Sequence, residues 1–433
     1  MMKDVSARLE SLEQFGWRFG LESITALLEV LGNPHLSLRC VHVAGSNGKG
    51  STCAYMASLL KHSGYKTGLY TSPHLSDIRE RFRINGVWIS APDFNRHGKR
   101  ILAACQKVKK RLGHSPTHFE ALTAMAFSWF KEKKVDWVVL EVGLGGRLDA
   151  TNVISQPALS LITPVGLEHQ NILGKTLKKI AGEKAGILKR GCPSATLQVE
   201  SEALREIVKK AKDKGSPLWV GGRDFKFKKE PRGFRWEGPG LSKSFRIPDL
   251  SDYQADNASL ALAGLQQLRS GGVFINEASI PKALSKTRWP GRLESIRLNP
   301  LIVLDGAHNP AAAQALVSSL EMKFPGKRWM VLNGFLKDKD YQRFAEILKP
   351  ITKLSIVTEP PSGRKENAAR VFTGWEKNGI PSVLVKDWRK ALGLALDKLE
   401  KKDPEFSLLI TGSFYLGGAC RRELVGLKEL REI

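Results

Sequence analysis

Apolar runs typical of buried strands alternate with amphipathic helical spacing in the first third of the chain. CVHV, residues 40–43, predicts a strand, and TCAYMASLLKHSG after it has the spacing of a helix that ends at Gly64. EALTAMAFSWFKEKK also has helical spacing, and further strands are predicted in KTGLYTS, VDWVVLEVG and PALSLITPVG. Buried strands that alternate with helices predict a mostly parallel sheet flanked by helices.

The pattern changes twice after this region. Residues 226–246 contain short aromatic and basic β-like pieces, and a helix resumes in SDYQADNASLALAGLQQL. The Pro- and Gly-rich stretch TRWPGRLESIRLNP then precedes new strand candidates in LIVLDGAHNP, RWMVLNGF, LSIVTEPP, SVLVKD and FSLLITGS. We therefore predict a first domain over residues 1–288, a linker over 289–299, and a smaller Rossmann-like α/β domain over 300–433.

Length and composition are consistent with two or three soluble domains, since the chain has 433 residues, 42% of them hydrophobic and 26% charged. No apolar run of about 18 residues predicts a membrane span. The first twenty residues include acids and no continuous apolar core, so we expect no secretory signal and a cytoplasmic protein. The 5 cysteines lack C-x-x-C spacing, which predicts reduced, mostly buried thiols.

The formal net charge of +25 raises the question of a nucleic-acid partner. The basic residues are spread along the chain in runs such as KVKKRLG, KEKK, KKAKDKG and KFKKEPR, which are typical of solvated faces. We therefore expect neither a nucleic-acid nor a membrane partner. A basic surface of this kind would attract polyanionic small molecules such as ATP or polyglutamates.

The glycine-rich stretch HVAGSNGKGST, residues 42–52, resembles a phosphate-binding loop at a strand-to-helix junction. It departs from G-x-x-x-x-G-K-[ST], because Val43 stands at the first glycine position and Gly50 separates Lys49 from Ser51. Backbone N–H groups at such a junction bind anions. Lys49 would reach the terminal phosphates, and the hydroxyl of Ser51 or Thr52 would bind Mg²⁺. The first domain is therefore predicted to be of the P-loop type.

Polar residues follow two later predicted strands. Glu141 ends an apolar strand, where P-loop enzymes hold a second Mg²⁺ ligand or a residue that orients water, and His169 follows PALSLITPVG. Together with Ser51, they would lie at the carboxyl ends of one parallel sheet, where open α/β folds bind ligands. An ordinary strand-end acid and a structural histidine are the alternatives. The glycines of EVGLGGR, residues 141–147, would let the backbone approach a ligand closely.

Two further groups complete the candidates that the residues themselves suggest. Lys184 in EKAGILK is predicted on a helix, where it could also be a surface lysine or a phosphate clamp. Asp305 and His308 in LDGAHNP occupy a second strand-to-helix turn.

Taken in order, several motifs resemble the folylpolyglutamate synthase and dihydrofolate synthase family of the Mur ligase superfamily. The resemblance runs from about residue 9 to residue 418 and is carried by HVAGSNGKGST, TSPHLSDIRERFRING, LEVGLGGRLDATN, GLEHQNILG, EKAGILK, RWPGRLE and LDGAHNP. The family's own phosphate loop reads G-[TS]-N-G-K-G-S, which accounts for the unusual loop. The resemblance implies an ATP-binding Mur-ligase-type domain over residues 1–288 and a glutamate-ligase domain over residues 300–433.

The resemblance also implies site residues. Residues implied for the nucleotide are Gly45, Asn47, Gly48, Lys49, Gly50, Ser51, Thr52, Asn257, Arg292 and Asp305. Residues implied for metal are Ser51, Ser72, Glu141 and His169. Those implied for the pteroate moiety are Ser72, Pro73, His74, Leu75 and Phe119, and those near the incoming glutamate are His308 and Ser413. Lys49, Lys184 and His308 would serve catalysis, with Lys184 at the position that the family carbamylates. Glu168 stands where the family commonly has aspartate, which adds a methylene beside this site.

The implied reaction is ATP-dependent ligation of L-glutamate to dihydropteroate and to reduced folates through an acyl phosphate. Two Mg²⁺ ions are implied, K⁺ is a further candidate ion, and a monomer is expected. The alternatives are one of these activities alone, another Mur-type amide ligase, a nucleic-acid-stimulated ATPase, or a non-catalytic nucleotide-binding module.

Overall fold

The structure, a computed structural model, describes residues 2–12, 20–247, 252–400 and 407–426. The chain divides into two compact units. The first comprises Met1–Pro73, Ile78–Pro248 and Gln254–Thr287. The second comprises His74–Asp77, Asp249–Tyr253 and Arg288–Ile433. Among the described residues, no helix is long and apolar enough to cross a membrane.

An eight-stranded sheet forms the centre of the first unit. Its strands are β1 Cys40–Ala44, β2 Thr67–Tyr70, β3 Phe82–Ile84, β4 Val87–Trp88, β5 Trp137–Glu141, β6 Leu159–Ile162, β7 Ser194–Thr196 and β8 Leu218–Val220. Their order in space is β4-β3-β2-β5-β1-β6-β7-β8. Only β3 runs antiparallel to its neighbours, β2 and β4, so the predicted mostly parallel sheet is confirmed.

A separate three-stranded antiparallel sheet follows in the chain, made of β9 Lys226–Glu230, β10 Gly233–Gly238 and β11 Leu241–Arg246. It corresponds to the aromatic and basic β-like pieces of the sequence. The side chain of Trp236 donates from Nε1 to the carbonyl of Ser259 at 3.2 Å, which fastens this sheet to the helix that carries Asn257.

Helices flank the first sheet. They are α1 Met2–Glu10, α2 Glu22–Val30, α3 Lys49–His62, α4 Ala91–Leu112, α5 His118–Glu132, α6 Gln170–Leu173, α7 Leu177–Lys184, α8 Ser201–Asp213, α9 Asp252–Ser270 and α10 Ile280–Lys286. Strand β5 contributes Val138 and Leu140 to a core shared with α4 and α5, and the strand ends of β1 and β6 pack with α7 and α8 in another. Burial of these apolar side chains is the main favourable contribution to folding.

The second unit is built on a six-stranded sheet. Its strands are β12 Glu294–Leu298, β13 Leu301–Leu304, β14 Trp329–Asn333, β15 Thr352–Val357, β16 Ser382–Leu384 and β17 Ser407–Thr411. Its helices are α11 Pro310–Lys323, α12 Tyr341–Leu348, α13 Ala368–Lys377, α14 Trp388–Glu400 and α15 Phe414–Val425. The order is β12-β13-β17-β14-β15-β16, and only β12 runs antiparallel to its neighbour. Residues 294–298, within the predicted linker, therefore form an edge strand of this sheet.

Candidate active site

The glycine-rich loop joins β1 to α3 in the first unit. Gly45 and Gly48 have φ values of 145° and 87°, which favour glycine. Each glycine also lies against a side chain, because an added Cβ on Gly45 would overlap Thr163 and one on Gly48 would overlap Asn257. Gly48 precedes α3, whose first backbone N–H groups have no partners within the helix and can bind an anion.

Lys49 begins α3 and folds back across the loop. Its Nζ donates to the carbonyl oxygens of Gly45 and Ser46, both at 3.0 Å. Behind it, Ser51 and Thr52 are 2% and 0% exposed, and the Thr52 hydroxyl donates to Oδ1 of Asn257 at 3.4 Å. The lysine thus lies over the loop, within reach of a phosphate bound there.

The other flank of the loop is formed by residues 164–169, which follow β6 and are called the 164–169 segment below. The backbone N–H of Ser46 donates to the Pro164 carbonyl at 3.1 Å. The hydroxyl of Ser46 donates to the Gly166 carbonyl at 3.2 Å and accepts from the Gly166 N–H at 3.0 Å. The position of the loop is therefore coupled to that of this segment.

Lys184, the last residue of α7, is 1% exposed, so its interpretation as a surface lysine is wrong. Its Nζ donates to the Gly45 carbonyl at 2.7 Å and to Oε1 of Glu168 at 2.8 Å. Burial lowers the pKa of Lys184 to about 8, helped by the charge of Lys49 and opposed by Glu168. Burial alone would raise the pKa of Glu168, but the charges of Lys49 and Lys184 outweigh it and lower this pKa to about 2.

Glu141 ends β5 and is in register with Val43 of β1, two residues before the loop. Its side chain is 5% exposed, and Oε2 accepts from the backbone N–H of Ser72 at 3.0 Å. His169 is exposed, with a left-handed φ of 47° at the start of α6. Since β5, β1 and β6 are adjacent and parallel, the predicted carboxyl-edge placement of these strand ends is found.

A buried carboxylate that sequence reasoning missed, Asp149, fixes the turn after Glu141. Its Oδ2 accepts from the backbone N–H groups of Gly143 and Leu144 at 3.0 and 2.9 Å, and its Oδ1 accepts from the Thr151 hydroxyl at 2.5 Å. Burial raises the pKa of Asp149, and these donors oppose the rise. Because the hydroxyl of Thr151 donates its proton to Asp149, the Thr151 oxygen can only accept from Nε2 of His42, which lies 2.8 Å away. This assigns the Nε2–H tautomer to His42.

The glycines of this turn allow close packing within the protein. A Cβ on Gly143 would lie 2.6 Å from Cζ of Phe119, and one on Gly146 would lie 2.7 Å from the carbonyl oxygen of Glu183. Phe119 is half-buried, with its ring 6.1 Å from that of Tyr70. The turn thus connects β5, the aromatic side chain of Phe119 and the end of α7.

Residues 72–75 are divided between the units. Pro73 is exposed in the first unit, whereas His74 and Leu75 belong to the second. A Cβ on Gly418 would overlap the Leu75 carbonyl, and the adjacent Ser76 hydroxyl donates to the Gly418 carbonyl at 3.1 Å. These residues therefore pack on α15.

In the second unit, Asp305 follows β13 and is 3% exposed. Its oxygens accept from the N–H groups of Leu293 and Ala307 at 2.7 and 2.8 Å, and from the Tyr253 hydroxyl at 3.0 Å. Burial raises the pKa of Asp305, and the charge of Arg292 is the largest opposing effect. The carboxylate thus connects the turn before β12 to the turn after β13.

Other candidate residues of this unit lie around the aromatic ring of Phe414. The guanidinium of Arg292 lies over this ring, 4.7 Å from its centre, and the ring of His308 lies 5.7 Å away. The neighbouring Ser413 is 3% exposed and accepts from the Tyr415 N–H at 3.1 Å, which caps α15. Arg292, His308 and Ser413 therefore lie together at the carboxyl edge of the second sheet.

Comparison with known proteins places both units in one family. The model of the Mur ligase middle domain matches residues 43–264, and that of the Mur ligase glutamate ligase domain matches residues 291–414. A Bacillus subtilis protein named dihydrofolate synthase/folylpolyglutamate synthase is 33% identical to this chain, over 98% of it and 99% of the relative. The chain belongs to the dihydrofolate synthase/folylpolyglutamate synthase family of Mur ligases.

Solved structures of this family have the same fold. A Mycobacterium tuberculosis folylpolyglutamate synthase complexed with ADP is 29% identical, with a TM-score of 0.91 over 99% of this chain and 100% of that one. Escherichia coli FolC in complex with DHPP and ADP is 28% identical, with a TM-score of 0.86 over 96% of each chain. The resemblance inferred from the motifs is thereby confirmed, and the protein is a Mur-type ligase.

Proposed function

We propose that this Mur ligase joins L-glutamate to dihydropteroate, forming dihydrofolate, and to reduced folates, forming folylpolyglutamates, with cleavage of ATP to ADP and phosphate. The observation that carries the proposal is the phosphate loop itself, in which Lys49 and Lys184 both donate to the carbonyl of Gly45. The ADP and DHPP named for the related structures support the nucleotide and the pterin acceptor.

The reaction proceeds in two steps. An oxygen of the acceptor carboxylate attacks the γ-phosphorus of ATP, and ADP leaves with the bridging oxygen. The amine nitrogen of glutamate then attacks the acyl carbon and phosphate leaves, with loss of a proton from nitrogen. In the first step Lys49 exchanges the carbonyls of Gly45 and Ser46 for the transferring phosphoryl oxygens and offsets their charge.

Magnesium fits the oxygen donors of the first unit. Ser51, Ser72 and Glu141 would hold one ion, since Mg²⁺ prefers one or two carboxylates together with substrate phosphates and water. Among the residues described, no cluster of three or more His, Cys, Asp or Glu could hold a metal. His169 would contribute to a second ion, and K⁺ is a further candidate. When bound, the ions would supply charge neutralisation at the phosphoryl group.

Lys184 is the proposed site of carbamylation. With its pKa lowered to about 8, a larger fraction of its amine is neutral near neutral pH than in an exposed lysine, and only the neutral amine adds CO₂. Activity of a Lys184→Ala variant restored by short-chain carboxylates would support the carbamate. Full activity of this variant without added carboxylate would exclude a role for the side chain.

The remaining assignments are also proposals. Residues 45–52 with Asn257, Arg292 and Asp305 would bind the nucleotide, and His308 and Ser413 the incoming glutamate. Ser72, Pro73, His74, Leu75 and Phe119 would contact the pteroate moiety. We further propose a cytoplasmic monomer with a first domain over residues 1–288 and a second domain that extends to residue 433. The second domain includes β12, which lies in the predicted linker. The change of compact unit after Thr287 supports this domain division.

Isotope transfer tests the reaction. Dihydropteroate labelled with ¹⁸O in its carboxylate should yield phosphate that carries one ¹⁸O atom, together with a product heavier by one glutamate residue. Product formed without ¹⁸O in the phosphate would exclude the acyl phosphate, and absence of the glutamate adduct with either acceptor would contradict the function.

A further inference from the structure

Gln198, two residues beyond the end of β7, is 1% exposed and is not among the residues that the sequence indicated. Its Oε1 accepts from the backbone N–H of Val165 at 2.5 Å, and its Nε2 donates to the Val165 carbonyl at 3.4 Å. Its own N–H donates to the Thr196 hydroxyl at 3.1 Å. The side-chain amide of Gln198 thus hydrogen-bonds both the N–H and the C=O of Val165, as the backbone of a neighbouring strand would.

The contact between Gln198 and Val165 lies just beyond the end of the β6–β7 pairing. The last pair between β6 and β7 is Ile162 with Thr196, so Val165 has passed beyond the ladder. Val165 is itself 4% exposed, and a buried N–H or C=O group without a partner is costly. Gln198 therefore continues the pairing of β6 and β7 through its side chain and fixes the course of the 164–169 segment.

The segment contacts the phosphate loop directly at two residues and, through Lys184, at a third. Ser46 is bonded to Pro164 and, through its hydroxyl, to Gly166. Farther along, Glu168 holds the Nζ of Lys184, which donates to the Gly45 carbonyl. A shift of the segment would move all three contacts, and with them the loop.

We propose that Gln198 is a positioning residue that sets the phosphate loop for the nucleotide by fixing the 164–169 segment. This inference rests on the proposed function, because it requires that the loop bind the phosphates of ATP. Replacement of Gln198 by methionine keeps the length of the side chain and removes both hydrogen bonds to Val165. The segment then relaxes toward other partners, and its contacts with Ser46 and Lys184 weaken.

The test compares Gln198→Met with a matched buried glutamine. Gln267 on α9 is 6% exposed, and its Nε2 donates to the Ser194 carbonyl at 2.9 Å, so Gln267→Met also removes a buried amide contact with this sheet. We expect Gln198→Met to bind Mg·ADP about tenfold more weakly by calorimetry and to raise the KM for Mg·ATP by a similar factor. The KM values for acceptor and glutamate should not change, and Gln267→Met should bind Mg·ADP as the wild type does.

Each other outcome has a defined meaning. A folded Gln198→Met that binds Mg·ADP within about twofold of wild type overturns the inference. Equal weakening in both variants also overturns it, because the effect would then follow from loss of any buried amide contact with this sheet and not from the 164–169 segment. If Gln198→Met does not fold, Gln198→Asn is measured in the same way, since its shorter amide cannot span the same distance, and wild-type affinity there overturns the inference. A wild type that binds no Mg·ADP rejects the proposed function itself.

Discussion

Two lysine ammonium groups donate to one carbonyl oxygen, that of Gly45, at 3.0 Å from Lys49 and 2.7 Å from Lys184. Like charges this close repel, and Glu168 offsets part of the repulsion through its contact with Lys184. An incoming polyphosphate would relieve it further by drawing Lys49 to itself. The arrangement therefore favours binding of an anion before any chemistry takes place.

Replacement of Lys49 by alanine should lower ADP formation on the order of a hundredfold or more, because the phosphoryl group loses its side-chain cation. The fold should persist, since among the described residues the Nζ of Lys49 donates only to loop carbonyls. Steady-state ADP release and circular dichroism measure the two effects. Lys61→Ala, at the exposed end of the same helix, is the matched control and should keep wild-type turnover. A folded Lys49→Ala enzyme with normal turnover would reject the role of the loop.

Glu168→Gln should destabilise the protein in a pH-dependent way. The pKa of Glu168 is lowered from 4.5 to about 2 in the folded state, so its contribution is fully present above about pH 4.5 and is lost as the pH falls toward 2. The difference in Tm between wild type and variant should be largest near pH 6, corresponding to about 2–3 kcal/mol, and should shrink below pH 4. A Tm difference that does not change between pH 6 and pH 3 would contradict the ion pair.

At the scale of elements, Arg96 connects two helices on the surface of the first unit. Its Nη2 lies 2.6 Å from Oδ1 of Asp93 on α4 and 2.6 Å from Oε1 of Glu132 on α5. The hydrogen bond from Arg96 lowers the pKa of Glu132 to about 2. Burial alone would raise the pKa of Asp93, but the contacts with Lys133 and Arg96 outweigh burial and lower this pKa to about 2.

Arg96→Met should therefore lower the free energy of unfolding by about 0.5–1 kcal/mol at pH 7. The solvent exposure of these ion pairs limits the loss to this value. Both carboxyls have lowered pKa values, so the loss of unfolding free energy should vanish as the pH falls through the range from about 4 to 2. The loss should also shrink in high salt. Thermal unfolding at several pH values measures it. Arg100→Met, an exposed arginine on the same helix, is the control. An effect of the same size in Arg100→Met would assign the loss to helix propensity.

The elements that the sequence predicted share a strong local signal. β1, β5 and β6 are wholly buried and mostly apolar, and glycines follow within a few residues of their ends. Short strands escaped prediction because their stability comes from pairing. β7 spans only Ser194–Thr196, with two hydroxyl side chains, and β12 mixes charged, polar and apolar residues at a sheet edge. Such strands are fixed by their neighbours in the sheet, which local periodicity does not record.

The site divides in the same manner. The pattern of the loop itself indicated Lys49 and Ser51, and the strand ends indicated Glu141 and His169. Asn257, Arg292 and Ser413 came only from the family resemblance. Gln198 and Asp149 gave no signal, because their partners are backbone groups of a turn or of a distant segment, and any polar residue type at those positions looks ordinary in one sequence.

For the whole molecule, the net charge of +25 should govern association with polyanionic substrates. The value of kcat/KM for a folate with several glutamates should fall several-fold as ionic strength rises from about 0.01 to 0.15 M, over which the Debye length shrinks from about 30 to 8 Å. Dihydropteroate, with one carboxylate, should respond less. Equal salt dependence for both acceptors would show that the net charge does not steer the substrate.

The central claim is that this chain ligates glutamate to pterin acceptors at the expense of ATP. It is tested most directly by glutamate-dependent release of ADP from Mg·ATP, measured with dihydropteroate and with tetrahydrofolate as acceptors. We predict turnover with both, dependent on glutamate and absent in Lys49→Ala. Turnover with one acceptor would restrict the enzyme to that activity. No glutamate-dependent ADP release with either acceptor would contradict the function and direct the search to other substrates of Mur ligases.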